Sequence, residues 1–235
     1  MMKFIRNIAL LVFNLIDRYY HQKKIASFLT KKKLNVNIFF DIGSHMGTYT
    51  DFINKIYPNC KSFLFEPQSK IFAKITEKYL KNENIKVFNL AISDTENKQS
   101  LYLNMHDLTS TLSNFNEQSS YLNLKAKLYG TDIKNMSHGT ELVQTITLKK
   151  FIINNNLNKI DLIKIDTEGH EFNVLKGLED KIDIINNVLI EFHHRKLFLG
   201  YEPDEIHTFL INNGFKLIKT FKFPFCWVDR FYSRN

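Results

Sequence analysis

Cysteine is nearly absent: Cys60 and Cys226 stand far apart, without a C-x-x-C pair or clustered partners. A disulfide framework and a cysteine-held zinc site are therefore not expected, and a reducing cytoplasm is the expected setting. Proline and glycine are sparse, at 4 and 8 of 235 residues, and no linker divides the chain. With 44% hydrophobic and 24% charged residues, this length suits one domain with a buried core. Long apolar runs are missing as well. The unbroken stretch Ile8 to Phe13 is far shorter than the ~20 residues that a helix needs to cross a bilayer. No recognition helix, zinc finger or single-strand-binding pattern is present, and the aromatic residues fall mostly inside apolar runs, so nucleic acid is not an expected partner. The formal charge of +8 comes mainly from lysines spread along the chain, as solvated faces require.

What is present begins with a helical extension over residues 1–36, ahead of a main domain over 37–235. Phe4 to Tyr20 is mostly apolar, Asn7, Asn14 and Arg18 share one helical stripe, and Lys23, Lys24 and Lys31 to Lys33 follow. Lys3 and Arg6 imitate the start of a signal peptide, but Asn14, Asp17 and Arg18 interrupt the apolar stretch and no small-residue cleavage site follows. A helix packed on the domain or on a second subunit, as in a homodimer, is expected; peripheral contact of residues 1–33 with the inner face of a membrane is the alternative.

The chemistry starts where an apolar strand from Ile38 runs into Asp41-Ile42-Gly43-Ser44-His45-Met46-Gly47, followed by a helix and a second strand ending at Glu66. A doubly wound α/β domain holds an adenosine-bearing cofactor with this order, a glycine turn at one strand tip and an acid at the next. A dinucleotide fingerprint reads G-x-G-x-x-G. Here Asp41 precedes G-x-x-x-G, and its charge suits an ammonium or sulfonium better than a pyrophosphate. Glu66 can accept from both ribose hydroxyls, and Glu66-Pro67 together with the turn resembles the S-adenosylmethionine site of class I methyltransferases.

Strands and helices then alternate. Ser69 to Leu80 reads as a helix capped by Ser69, Ile85 to Ile92 as a third strand, Lys98 to Leu103 as a hairpin strand and Leu142 to Leu148 as another alternating strand. The polar stretch from Asn104 to Ser137 is too long for a scaffold loop and suggests a substrate lid. Ile160 to Ile165 and Asn187 to Phe192 are buried strands, Pro203 to Asn213 a helix ending at Gly214, and Phe215 to Phe221 with Cys226 to Tyr232 a closing antiparallel pair. The fold class is α/β, a doubly wound and mostly parallel sheet with an antiparallel edge.

A second cluster, Asp166-Thr167-Glu168-Gly169-His170-Glu171, directly follows the strand Leu162 to Ile165. Ligands of open α/β sheets bind outside the carboxyl ends of the strands, so Asp41, Glu66, Asp166 and Glu191 should converge on one crevice. Four acids there are costly without a cation among them: the cofactor's sulfonium, a metal ion, or both. The plainer alternative is a helix cap, with Thr167 or Asp166 capping and Glu171 in the first turn.

Taken together, Phe40-Asp41-Ile42-Gly43, Phe65-Glu66-Pro67, Ala91-Ile92-Ser93-Asp94, Ser110-Thr111-Leu112, Lys164-Ile165-Asp166-Thr167-Glu168-Gly169-His170-Glu171, Val174-Leu175-Lys176-Gly177 and Ile190-Glu191-Phe192-His193 resemble the FkbM family of S-adenosylmethionine-dependent methyltransferases, over about Asn37 to Phe221. The resemblance implies the Rossmann-like class I methyltransferase sheet and O-methylation of sugars or polyketides. It places the cofactor against Asp41, Gly43, Gly47, Glu66, Ala91 and Ile92, with Ser44, His45, Thr48, Tyr49, Pro67 and Asp166 alongside. One departure is Thr147-Leu148-Lys149, where the family usually carries T-L-D.

Methyl transfer needs chiefly an acceptor oxygen held in line, with a base to help a sugar hydroxyl. The candidate bases are Asp166, Glu168 and His193, and Ser110, Thr111, His170 and Arg195 are candidate acceptor contacts. Asp166, Glu191 and His193 could instead hold Mg²⁺ or Mn²⁺ to acidify the hydroxyl. The expected acceptor is a sugar, sugar nucleotide or phosphosugar, and the Lys/Asn-rich composition suggests a low-GC bacterium and a capsule or lipo-oligosaccharide. Two rival readings are a nicotinamide dehydrogenase, for which Tyr121-x-x-x-Lys125 and Tyr20-x-x-x-Lys24 match a bare Tyr-x-x-x-Lys, and a non-catalytic basic membrane protein.

Overall fold

The structure, a computed structural model, describes residues 20–104, 110–128, 132–133, 137–193, 197–222 and 228–234. In chain order the elements are α1 (Gln22–Lys32), β1 (Ile38–Ile42), α2 (Thr48–Ile56), β2 (Lys61–Phe65), α3 (Ser69–Tyr79), β3 (Ile85–Phe88), β4 (Ala91–Ser93), β5 (Lys98–Asn104), α4 (Ser120–Leu128), β6 (Ser137–Thr147), α5 (Leu148–Asn154), β7 (Leu162–Ile165), α6 (Glu171–Lys176), a 3₁₀ turn (Glu179–Ile184), β8 (Asn187–Phe192), α7 (Pro203–Asn212), β9 (Lys216–Lys222) and β10 (Val228–Ser233). Seven strands form one sheet in the order β3-β2-β1-β7-β8-β10-β9. The pairs from β3 to β8 are parallel, and β10 runs antiparallel to both β8 and β9. This is the mostly parallel sheet with an antiparallel edge.

Side chains on a strand alternate between faces, and that period of two sorts the core into layers. Phe40, Ile42, Ile163, Ile165, Val188 and Ile190 project to one side, where α5, α6 and α7 contribute Phe151, Val174, Leu175, Ile206 and Leu210. Phe39, Leu162, Leu189 and Phe231 project to the other, where Ile25 and Leu29 of α1 and Ile53 of α2 pack on them. The described part of the N-terminal region therefore lies on the sheet through α1. Among the described residues no helix is long and apolar enough to cross a membrane.

Several expected elements differ in detail. The third strand does not run from Ile85 to Ile92: it stops at Phe88, because the Asn89 side chain turns back to donate to the carbonyls of Glu66 (3.0 Å) and Pro67 (2.8 Å). Ala91–Ser93 then pairs with β6 in a separate three-stranded sheet, β4-β6-β5. Ser69 is not the cap of α3. Gln68 occupies that place, and the Ser69 hydroxyl donates to Glu141 instead. The strand expected over Leu142 to Leu148 is longer at its start, and Leu148 already belongs to α5, whose first turn is closed by Thr147 Oγ1 accepting from Lys150 N at 3.2 Å. Lys149, where the resembled pattern has an acid, is held by Glu179 (2.7 Å) and Asp180 (2.9 Å) on the exterior. The polar stretch after Asn104 is not wholly irregular. Thr111 pairs with Tyr102 and Phe115 with Phe198, and α4 buries Leu122 and Ala126, two positions four apart whose neighbours are too polar to show a period.

Candidate functional site

The turn between β1 and α2 is built from three left-handed residues, Gly43 (φ 74°), His45 (φ 43°) and Gly47 (φ 71°). A Cβ at Gly43 would lie 1.8 Å from the Asp166 carbonyl oxygen, so the turn can seat against the end of β7 only as glycine. The amides of Gly43 and Ser44 both donate to Phe65 O at 3.1 Å, joining the turn to the tip of β2. Tyr79 of α3 closes it from outside by donating to Gly47 O at 2.8 Å. Directly beyond Phe65, Glu66 is buried and accepts one backbone N–H on each carboxylate oxygen, from His45 on Oε2 and Gln68 on Oε1, both at 2.9 Å. Burial lifts its pKa to about 7 and the nearby Asp41 charge adds to this, while the two N–H donors pull the other way. Its carboxylate borders a cleft that Ile42, Gly43, Phe65, Leu90, Ala91, Ile92, Leu101 and Leu112 also line, together with Asp166, Thr167, Glu168 and His170.

Behind this cleft the same alternation that places the core also places charge. One step toward the strand tips from the apolar row Phe39, Leu162, Leu189 and Phe231 stand Asp41, Lys164, Glu191 and Asp229, all buried. Asp41 is in register with Lys164, and Asp229 with Glu191. Asp41 accepts from Thr50 Oγ1 at 2.7 Å and lies 3.7 Å from Lys164 Nζ, which also donates to Asp166 at 3.0 Å. Burial raises the Asp41 pKa against the opposing Lys164 charge. Lys164 titrates above its ordinary value because Asp166 and Asp41 outweigh its desolvation. Burial also drives Glu191 well up, with the charges of Asp166, Asp229 and Glu168 adding to it. Asp229 is bonded to His21, just before α1, at 2.6 Å with both side chains buried.

The loop after β7 turns through Glu168 (φ 52°) and Gly169 (φ 94°), where a Cβ would collide with the Phe198 ring at 2.3 Å. The capping alternative holds in altered form. Neither Asp166 nor Thr167 is the cap of α6; Glu171 ties the loop, accepting from the amides of Thr167 and Gly169 at 3.0 Å each. The segment after Ser110 is fastened to the same loop, Thr111 Oγ1 donating to Glu168 O at 2.5 Å and Ser113 Oγ to Gly169 O at 2.9 Å. His193 is buried beside it. Its Nε2 is 3.6 Å from Glu171 and 4.0 Å from Glu168, and its Nδ1 is 3.6 Å from Glu191. Burial alone would depress the His193 pKa, but Glu171, Glu168 and Asp166 carry it above the ordinary histidine value.

Of the expected cofactor residues, Gly43, His45, Glu66, Pro67, Ala91, Ile92 and Asp166 line the cleft. Asp41, Ser44, Gly47, Thr48 and Tyr49 do not; Gly47 packs against Tyr79, and the Tyr49 ring lies under the Lys164 ammonium at 4.4 Å. Ser110, Thr111 and His170 also line it, His170 with Nε2 2.9 Å from Ser93 Oγ and its pKa lowered by burial. Arg195 lies outside the described residues. The metal trio changes: the carboxylates that share a space are Asp166, Glu168 and Glu191, with ligand atoms within 4.8 Å of one another, and Glu168 takes the place given to His193. Tyr20, just before α1, and Lys24 on it form an exposed pair and do not line the cleft. Lys164, Gln68, Asp229 and His21 were missed; only Lys164, a cation inside an otherwise apolar strand, carried a visible signal.

Known methyltransferases resemble the chain in sequence. The chain is 23% identical over 189 residues to the hexuronic acid methyltransferase AglP of Haloferax volcanii, covering 80% of this chain and 67% of that one. It is 24% identical over 195 residues to the methyltransferase sdnD of Sordaria araneosa, covering 76% and 73%. A solved SAM-dependent methyltransferase from Aquifex aeolicus overlays 97% of both chains with a TM-score of 0.49 at 13% identity, too remote a likeness to carry an argument. The model of the methyltransferase FkbM domain matches residues 41–217, three quarters of the chain, and the protein belongs to that family.

Proposed function

We propose that this chain is an S-adenosylmethionine-dependent O-methyltransferase whose acceptor is a sugar hydroxyl, in a bacterial surface glycan or its sugar-nucleotide or phosphosugar precursor. The observation that carries the reading is the cleft itself: a buried carboxylate held by two backbone N–H groups at one strand tip, a glycine turn at the next, and acids beyond. The residues fit the cofactor. Glu66 suits a ribose diol, the Leu90, Ala91, Ile92, Leu101 and Leu112 wall suits adenine, and the Gly43 turn and Asp166 suit the aminoacyl end. When bound, the cofactor supplies an electrophilic methyl on a positively charged sulfur. The protein's own part is to hold an acceptor oxygen in line and to take its proton. Glu168, which lines the cleft, is the proton acceptor in this reading, with the His193 ring 4.0 Å from its carboxylate. Residues 110–113, fastened to the Glu168–Gly169 loop, are the described part of the 104–137 stretch that lies against the acceptor in this reading.

The test is label transfer from methyl-labelled S-adenosylmethionine to a panel of uronic acid glycosides, neutral sugars and sugar nucleotides. The reading expects labelled sugar O-methyl ether with the parent. Glu168→Gln should lower kcat by ~10²-fold or more while S-adenosylhomocysteine binding is kept. Label appearing on nitrogen or carbon, or a Glu168→Gln variant of full activity, contradicts it.

Glu66 gives the cofactor interaction a pH signature. The protonated acid loses acceptor capacity, so affinity for S-adenosylhomocysteine should fall as pH drops through about 7, approaching tenfold per pH unit below it. The sign for stability is opposite to that of a salt-bridged carboxylate. Between the ordinary value of 4.5 and about 7 the folded chain binds more protons at Glu66 than the unfolded chain, so this group's contribution to stability declines as pH rises. Calorimetric titrations from pH 5.5 to 8.5 check the first point, and a flat affinity across that range contradicts it.

A further inference from the structure

The outward face of α1 carries charge of one sign. Its inward face is fixed on the sheet: Ile25 and Leu29 are buried, the Phe28 ring meets Phe221 (5.4 Å) and Phe231 (5.1 Å) edge-on, and His21 holds the entrance through Asp229. Helical spacing turns Tyr20, Lys23, Lys24, Ser27 and Lys31 to the opposite side, and all five are exposed. No Asp or Glu occurs between Asp17 and Asp41 to balance these lysines. Elsewhere surface lysines meet carboxylates, as Lys78 meets Asp51, Lys149 meets Glu179 and Lys176 meets Asp94.

Helix electrostatics account for only part of this charge. The negative end of the helix dipole favours Lys31 and Lys32, which stand in the last turn. Lys23 and Lys24 stand in the first turn, where the same dipole works against a cation, so helix stability does not account for them. A partner of opposite charge does. Two features point to a lipid surface among such partners. The residues ahead of Tyr20 in sequence are mostly apolar, with Ile8 to Phe13 unbroken, and an apolar stretch joined to a basic helix lies in the interface of a bilayer. The charges of α1 are all lysine, compact cations suited to a fluid array of headgroups, and the helix has no arginine for the forked bonds that fix a nucleic-acid phosphate.

We propose that the outward face of α1, with the apolar stretch ahead of it in sequence, docks the protein on an anionic lipid bilayer. Asp229, which holds His21, stands in the row of side chains toward the strand tips, so α1 starts at the end of the sheet where the cleft opens. Docking there brings the cleft near an acceptor carried on a lipid. That consequence rests on the proposed O-methyl transfer; the docking itself rests on α1 alone.

The experiment is flotation of the full chain with vesicles of phosphatidylcholine, with and without phosphatidylglycerol. Binding is expected only with phosphatidylglycerol, and it should fade as NaCl rises from about 0.1 M to about 0.5 M. Each lysine near an anionic surface contributes about fivefold, so Lys23→Gln, Lys24→Gln and Lys31→Gln together should lower the partition coefficient about a hundredfold. Lys61→Gln, Lys81→Gln and Lys86→Gln together remove the same charge from exposed positions around β2 and β3 and should leave binding intact. Each variant is first shown to melt like the parent. S-adenosylhomocysteine titration on the same samples reports on the cleft separately: vesicle binding without it sinks the methyl-donor reading and sustains the docking surface. Equal binding to pure phosphatidylcholine, equal losses in the two triple variants, or tighter binding to duplex DNA than to the anionic vesicles overturns the docking surface and leaves the cleft standing.

Discussion

Replacing Glu66 with alanine is expected to weaken S-adenosylhomocysteine binding by two orders of magnitude or more. In the proposed reading the Glu66 carboxylate accepts from both ribose hydroxyls, and hydrogen bonds to a charged group contribute ~1.5–3 kcal/mol each. Two of them amount to at least ~3 kcal/mol, about a hundredfold in affinity. The substitution also strips the His45 and Gln68 amides of their shared acceptor, so the strand tip loosens as well as losing its contact. Glu66→Gln separates these effects. It preserves one acceptor and the shape, and should lose less affinity than alanine while becoming insensitive to pH across about 7. Calorimetric titration of both variants checks this, and an alanine variant that binds as tightly as the parent places the ribose elsewhere.

Gly43→Ala should do still more damage, because it acts on fold and cleft together. Its methyl would fall 1.8 Å from the Asp166 carbonyl, a backbone atom that cannot swing aside, in a conformation with φ 74° that already costs a non-glycine residue ~1 kcal/mol or more. Relief requires the turn to lift off the end of β7. That breaks the Gly43 and Ser44 bonds to Phe65 O and moves His45 away from Glu66. We expect a loss of roughly 2–4 kcal/mol in urea denaturation and no measurable S-adenosylhomocysteine binding. Gly200→Ala is the control: it too has a positive φ, 68°, but nothing lies within 4 Å of its added Cβ, so only the backbone penalty remains. Equal destabilisation at the two positions contradicts the close approach of the turn to β7.

What could be read from the chain followed local rules. Apolar strands ending in an acid, a glycine pair four apart and the K-I-D-x-E-G-x-E string place the cleft at the tips of β1, β2 and β7, where it lies. Strand alternation turns Asp41 away from the cleft. It shares a face with Phe39, so it sits beneath α2 with Thr50, while Ile42 beside it lines the cleft. Glu171, expected in the first turn of α6 if the cluster is a helix cap, ties the loop by accepting from the Thr167 and Gly169 amides on one oxygen. The pair His21–Asp229 spans 208 residues and depends on where α1 lies on the sheet, which no local pattern encodes. The splitting of Ile85 to Ile92 into two sheets likewise turns on one side chain, Asn89, reaching the backbone of Glu66 and Pro67.

The most direct test of the central claim is competitive titration of the parent chain with S-adenosylmethionine, S-adenosylhomocysteine and NAD at pH 8, where Glu66 is ionised. The cleft described here predicts one site per chain that takes both adenosyl ligands with comparable affinity, excludes NAD, and disappears in Glu66→Ala. Binding of NAD with indifference to S-adenosylhomocysteine, or adenosyl binding unaffected by Glu66→Ala, contradicts it.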